Sequence, residues 1–281
     1  MTEGIITMNT IDRYERYLVD EERSKATVEK YIRDIRKFFE FLSEDKCVNK
    51  EIMIAFKNHL LQNYKISSVN SILVAVNNFL SFSGLMECRV KQFRLQKNLF
   101  CRKDQELTKE DYQKLVQAAR LKDNERLSLL MQTICSTGIR VSEHRFISVE
   151  ALKQGYAVIS NKGKTRTIFL TPELSGRLKV YCSKKHIESG AVFITKSGKP
   201  LDRSNIWTMM KALCRDAGVD PKKVYPHNLR HLFAFTFYGI EKDLLRLADI
   251  LGHSSIETTR ICTISSGVEH KRILSKLNLL C

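Results

Sequence analysis

Two arginines and two histidines in this chain have the types and spacing for chemistry on an anion. In Tyr225-Pro226-His227-Asn228-Leu229-Arg230-His231, His227 and Arg230 stand three residues apart, so on a helix they share a face and both reach one anion. Arginine suits a phosphate because its planar fork donates two parallel hydrogen bonds and keeps its charge. A helical run then leads to Leu251-Gly252-His253 and Ser-Ser-Ile-Glu-Thr-Thr-Arg. Upstream lies Thr137-Gly138-Ile139-Arg140-Val141-Ser142-Glu143, where the glycine permits a sharp turn that aims Arg140 into a cleft. Taken singly, each has an ordinary structural reading: a solvated arginine on a turn between helices, or a histidine satisfied within the fold.

Together these segments resemble the signature of the tyrosine recombinase (integrase) family, which runs T-G-x-R-x-S-E, then H-x-L-R-H, then L-G-H-x-x-I-x-T-T-x-x-Y. Every fixed position is met except the last. The position nine residues after His253 holds Cys262, and no tyrosine follows Tyr238. In the family a lysine directly before the glycine of a β-hairpin is catalytic. That selects Lys162 in Asn161-Lys162-Gly163-Lys164, with Lys164 as its rival.

The resemblance implies that Arg140, Lys162, His227, Arg230 and His253 are five of the six residues used for phosphoryl transfer at a DNA backbone, with no cofactor and no metal. Arg140 and Arg230 would stabilise charge on the nonbridging oxygens. Lys162 would protonate the departing 5′ oxygen. His227 and His253 would bind the phosphate or accept the nucleophile's proton, and Glu143 would orient its neighbours. The sixth residue, the nucleophile, is the departure. A family tyrosine attacks to give a 3′-phosphotyrosine. A thiolate at Cys262 is nucleophilic, but its sulfur stands roughly 4 Å nearer the backbone than a tyrosine oxygen would, more than positional catalysis tolerates. The expectation is a site-specific DNA recombinase that assembles its site but cleaves poorly. The alternatives are a non-cleaving DNA-binding or regulatory protein on the same fold and a type IB topoisomerase.

Composition agrees with a DNA partner. The chain has 281 residues and a formal net charge of +16, a field that suits nucleic acid or an anionic surface. Residues 1–88 hold 12 Lys and Arg against 13 Asp and Glu, so the surplus lies beyond them. No apolar run approaches a spanning length and the N-terminus lacks a signal-peptide core, which points to a cytoplasmic, nucleoid-associated protein. The eight cysteines are scattered without metal-ligand spacing and read as thiols. The implied partners are double-stranded DNA, a homo-tetramer on two DNA sites with a dimer on each, and accessory proteins.

The elements that must position these groups read as mainly α with a small antiparallel sheet. Residues 1–88 form four helices (11–19, 25–44, 49–64 and one from Val69 that stops at Gly84, capped by Ser67 or Ser68). By resemblance this is the helical, SAM-like core-binding domain, a clamp on DNA. Residues 89–105 make a basic interdomain linker; its stretch 89–103 carries six Lys or Arg and no acid. Residues 106–281 form the mixed α/β catalytic domain. It opens on a capping box from Thr108 to Asp111, with a helix at 125–137 and strands at Phe146–Val149, Tyr156–Ser160 and Arg166–Leu170. Helices at 172–190 and 203–217 follow, the second anchored in the core by Trp207. A terminal helix, Val268–Leu280, would dock into a neighbouring protomer or pack on its own domain. The resemblance places this chain nearer the Xer-type, invertase or transposon-resolving members, with no room for an arm-binding domain.

Overall fold

Apolar residues at helical spacing build the first of two compact units, residues 1–97 and 98–281. The computed structural model describes residues 4–94, 106–161 and 164–263, with the side chains at 161, 164 and 261–263 outside that description. Helices α1 (Met8–Asp20), α2 (Lys25–Phe41), α3 (Lys50–Asn63) and α4 (Ile66–Phe82) enclose Ile11, Tyr14, Ile35, Phe38, Phe56 and Phe79, all buried. Thr7, Ser24 and Asn49 cap the first three, each side chain accepting a first-turn backbone N–H. Helix α4 departs from expectation. The chain turns at Lys65, whose carbonyl accepts the first two helical bonds, so Ser67 and Ser68 lie inside the first turn instead of capping it. Two short strands, β1 (Gly4–Ile5) and β2 (Cys47–Val48), pair antiparallel. At two residues each they are too short to show an alternation.

Residues 89–94 lie on this unit. Val90 is buried in its core, and two asparagines of α4 hold the segment's backbone. Asn77 donates from Nδ2 to the Val90 carbonyl at 2.8 Å and accepts the Val90 N–H at 3.1 Å. Asn70 does the same to Phe93, both bonds being 2.8 Å. Lys57 stands 4.0 Å over the Phe93 ring.

The second unit runs α5 (Lys109–Leu121), α6 (Glu125–Thr137), a 3-10 turn (Val141–Phe146), α7 (Val149–Gln154), β3 (Tyr156–Asn161) and β4 (Lys164–Phe169). It continues with α8 (Pro172–Lys184), α9 (Arg203–Ala212), α10 (Cys214–Ala217), α11 (Pro226–Glu241), α12 (Leu244–Leu251) and α13 (Ile256–Thr263). Thr108 and Asp111 form the capping box that opens α5. Strands β3 and β4 pair antiparallel from Tyr156↔Phe169 to Asn161↔Lys164. The fold of the described residues is thus mostly helical with two small antiparallel sheets.

Several expectations are corrected. Phe146–Val149 is not a strand. It closes a 3-10 turn and opens α7, which Ser148 caps, leaving one isolated bridge from Ser148 to Ala191. The apolar Ile147 and Val149 are buried by that corner, not by a sheet. Trp207 is no core anchor: it is 48% exposed, while Ile206 and Met210 carry the inward face of α9. One residue past Ile206 is about 100° around a helix, which turns Trp207 to the side. Helix α8 stops at Lys184, short of 190, and the stretch 203–217 breaks at Leu213. Among the described residues the cysteines are free thiols, and no helix is long and apolar enough to cross a membrane. Lys162 and the stretch Val268–Leu280 lie outside the described residues.

Candidate active site

Glycine geometry launches the first arginine. Helix α6 ends on Gly138 at φ +67°, and a Cβ there would stand 2.4 Å from the Phe233 ring, so both backbone and space demand glycine. The turn delivers Arg140 in an extended conformation at the head of the 3-10 turn. Glu143, three residues on and 1% exposed in its side chain, accepts the Arg140 backbone N–H at 2.6 Å and Nη1 at 2.9 Å. Arg140 Nη2 donates to the Gly252 carbonyl at 3.3 Å. Burial would push the Glu143 carboxyl up, but hydrogen bonds from Arg166 and Arg140 hold it below the usual carboxylate range.

Helix α11 supplies His227 and Arg230. Pro226 in its first turn suits a helix start. Arg230 is 2% exposed and donates to the carbonyls of Gly138 at 2.6 Å and Leu251 at 2.7 Å. Those carbonyls sit at the C-terminal ends of α6 and α12, where partial negative charge favours a cation. The same guanidinium reaches His253 Nε2 at 2.9 Å, and His253 Nδ1 lies 2.9 Å from the buried Thr259 hydroxyl of α13. Burial first, and then the charges of Arg230, Arg140 and Arg166, lower His253 to about 4. His227 is lowered by burial and by Arg230, Arg140 and Arg203. Its ring meets that of His231 edge-on at 4.6 Å, and burial lowers His231 to about 4.

A cleft of about 840 Å³ opens over these groups, lined by Arg140, Ser142, Arg203, Trp207, His227 and Arg230 among others. The structure therefore brings together four of the residues singled out from sequence: Arg140, His227, Arg230 and His253. Cys262 belongs to α13, which packs against α11 and α12, while its side chain and Lys162 lie outside the described residues. Three groups were not anticipated as part of the site. Arg203 and Trp207 line the cleft from α9. Arg166 of β4 binds both oxygens of Glu143, at 2.7 and 3.1 Å. The sequence held one weak sign of Arg166, since it stands two and four residues before the apolar, buried Ile168 and Leu170 and so puts a charge on the inward face of the strand. Chemically, the cleft offers the guanidinium groups of Arg140, Arg203 and Arg230 beside the His227 imidazole, an arrangement suited to a phosphate. No group of three or more potential metal-ligating side chains occurs among the described residues.

Residues 105–266 match the Phage integrase family, and residues 11–84 match the Phage integrase, N-terminal SAM-like domain. The chain belongs to the phage integrase family. This phage integrase family member is similar along its length to Tyrosine recombinase XerA of Pyrococcus furiosus, 29% identical over 290 residues with 100% of this chain and 98% of the relative covered. It is also similar to Tyrosine recombinase XerH of Campylobacter jejuni, 27% identical over 94% of this chain and 81% of the relative. Among solved structures, a lambda integrase (75-356) dimer bound to a COC' core site shares the fold. The TM-score is 0.74 at 17% identity, with 92% of this chain and 95% of that one covered.

Proposed function

We propose that this chain is a site-specific DNA recombinase of the tyrosine type whose cleavage step is impaired. The observation that carries the reading is the convergence of Arg140, His227 and Arg230, from two separate parts of the second unit, on one cleft, with His253 bonded to Arg230 behind them. The reaction is a transesterification at a DNA phosphodiester. Arg140 and Arg230 stabilise the charge that grows on the nonbridging oxygens. Lys162 protonates the leaving 5′ oxygen, and His227 and His253 bind phosphate or accept the nucleophile's proton. The charge is carried by guanidinium groups, so the reading calls for no metal.

Cys262 stands where the nucleophilic tyrosine belongs, and its shorter reach is the reason for weak cleavage. The helical domain of residues 1–88 serves as a clamp on double-stranded DNA, joined to the catalytic domain 106–281 through the basic stretch 89–105, whose first residues, 89–94, pack on the clamp. The assembly is a tetramer on two sites, a dimer on each, acting in the cytoplasm with or without accessory proteins. A lambda integrase tetramer bound to a Holliday junction is among the structures with this fold. The second reading, a non-cleaving regulator, is favoured by Cys262 alone.

The test is covalent trapping on a suicide DNA substrate nicked near the cleavage point. Cys262→Tyr accumulates a protein–DNA adduct that survives denaturant, and the parent chain forms little. An adduct formed readily by the parent and lost on thiol alkylation makes Cys262 a working nucleophile. No adduct from either protein on its proper site favours the regulator.

A further inference from the structure

Glu143 sits between two arginines, and Arg140 is the one at the cleft. The other, Arg166, takes both carboxylate oxygens, Nη2 to Oε2 at 2.7 Å and Nη1 to Oε1 at 3.1 Å. The carboxylate is 1% exposed and the Arg166 side chain 14%, so the exchange takes place largely out of water, where neighbouring charges are weakly screened. One carboxylate between two guanidinium groups leaves the trio with one net positive charge. Without Arg166, the same carboxylate would cancel Arg140, which would then meet an anion as half of an ion pair.

Arg166 also touches the turn that carries His253. Its Cδ and Nη1 each lie 2.8 Å from where a Cβ on Gly252 would stand, and the Gly252 carbonyl in turn accepts from Arg140. Strand β4 and the Arg140 turn therefore meet at a single carboxylate, and both arginines also reach the Gly252 turn. Arg166 Nε is buried with no partner among the described residues, so the side chain forgoes a hydrogen bond to hold this position.

We infer that Arg166 is a positioning residue of the phosphate cradle: it absorbs the charge of Glu143, so that Arg140 faces the phosphate as a net cation, and it braces the Gly252 turn behind His253. This rests on the phosphoryl-transfer reading above and deepens it. It makes a prediction that mere packing does not. If Arg166 only filled space, replacing it and Glu143 together would be at least as harmful as either change alone. If it balances charge, Glu143→Gln repairs Arg166→Gln.

The chain as it exists serves for the test, by NMR of the His227 and His253 imidazoles through pH and through titration with inorganic phosphate. The charged and titratable groups around His253 are Arg230 and His227 from α11, Arg140 after α6 and Arg166 from β4; α13 contributes the Thr259 hydroxyl. In Arg166→Gln, His253 titrates at higher pH and phosphate binds about tenfold more weakly, the size of one nearby charge. In the double variant with Glu143→Gln both readouts return towards the parent, and Arg166→Lys keeps phosphate affinity. Arg166→Gln with both readouts unmoved, or a double variant worse than the single, overturns the inference. Should Arg166→Gln not fold, Arg166→Lys decides: parental affinity supports charge balance, and a loss of about tenfold overturns it. A parent that neither binds phosphate nor shows a depressed His253 also overturns it. No readout involves Cys262 or cleavage, so failure here and failure of the adduct test are separate results.

Discussion

Arg230 and His253 share a hydrogen bond of 2.9 Å from Nη2 to Nε2, and that bond fixes the tautomer of the imidazole. A guanidinium only donates, so Nε2 accepts and the ring proton stands on Nδ1, which donates to Thr259 Oγ1 at 2.9 Å. His253 is held neutral and oriented at both ends. Protonation at Nε2 breaks the bond to Arg230 and sets two cations face to face.

Stability therefore falls on the acid side. His253 and His231 are each lowered from 6.5 to about 4 in the folded chain. Above about pH 6.5 both are neutral whether folded or unfolded, and they add no pH dependence. Between about 6.5 and 4 the unfolded chain binds protons that the folded chain refuses, so acid favours unfolding. Denaturant midpoints measured across this window decline, and His231→Gln makes the decline shallower.

The two arginines of the cleft separate in their effect on the fold. Arg230→Ala strips partners from the carbonyls of Gly138 and Leu251 and from His253, at a cost of about 3 kcal/mol. Arg140 is 37% exposed, and without it Glu143 keeps Arg166, so Arg140→Ala costs about 1 kcal/mol. Urea unfolding measures both. On the proposed function, either change in a Cys262→Tyr background abolishes adduct formation, because each would remove stabilisation of the transition-state charge.

Gly252→Ala carries two penalties. The residue has φ +62°, and its new Cβ would lie 2.8 Å from Arg166. Gly155, at φ +79° with nothing within 4 Å of a Cβ, supplies the comparison. Gly155→Ala costs about 1 kcal/mol from backbone strain. Gly252→Ala costs more and moves the His253 titration upward as Arg166 is displaced. Chemical denaturation and histidine NMR on the two variants isolate the clash.

Binding to duplex DNA, on the proposed function, is strongly salt-dependent. Each phosphate contact that releases a counterion contributes about 0.9 to the slope of log affinity against log salt. Fluorescence anisotropy on a labelled duplex shows affinity falling by orders of magnitude between low and moderate salt. A flat response contradicts the phosphate cradle and the clamp alike.

Much of this was legible in the residues. Helices α1 to α4 announced themselves through a 3.6-residue apolar period, and Arg140, His227, Arg230 and His253 through motifs that fix their order. Arg166 carries only the weak sign of sharing a strand face with Ile168 and Leu170, because its partner lies 23 residues away and a lone arginine in a strand has no motif. The size of Trp207 suggests burial, but only its neighbours Ile206 and Met210 keep the helical period of the inward face. Phe146–Val149 does not announce its corner, because a four-residue segment with three apolar members fits a buried corner as well as a strand. Lys162 and the Cys262 side chain, outside the described residues, remain expectations from sequence.

The paired asparagines of α4 set up a ruler. Asn70 and Asn77 are seven residues apart on a helix, a rise of about 10.5 Å, and they grip Phe93 and Val90, three residues apart in extended chain, about 10 Å. The two pitches match, with the segment running antiparallel to the helix, so both clips close at once. A residue inserted between Val90 and Phe93 throws the second clip out of step by about 3.4 Å, whereas one inserted after Arg94 leaves both engaged. Length is thus quantised between Val90 and Phe93, and insertions tolerated by this lineage should avoid that stretch.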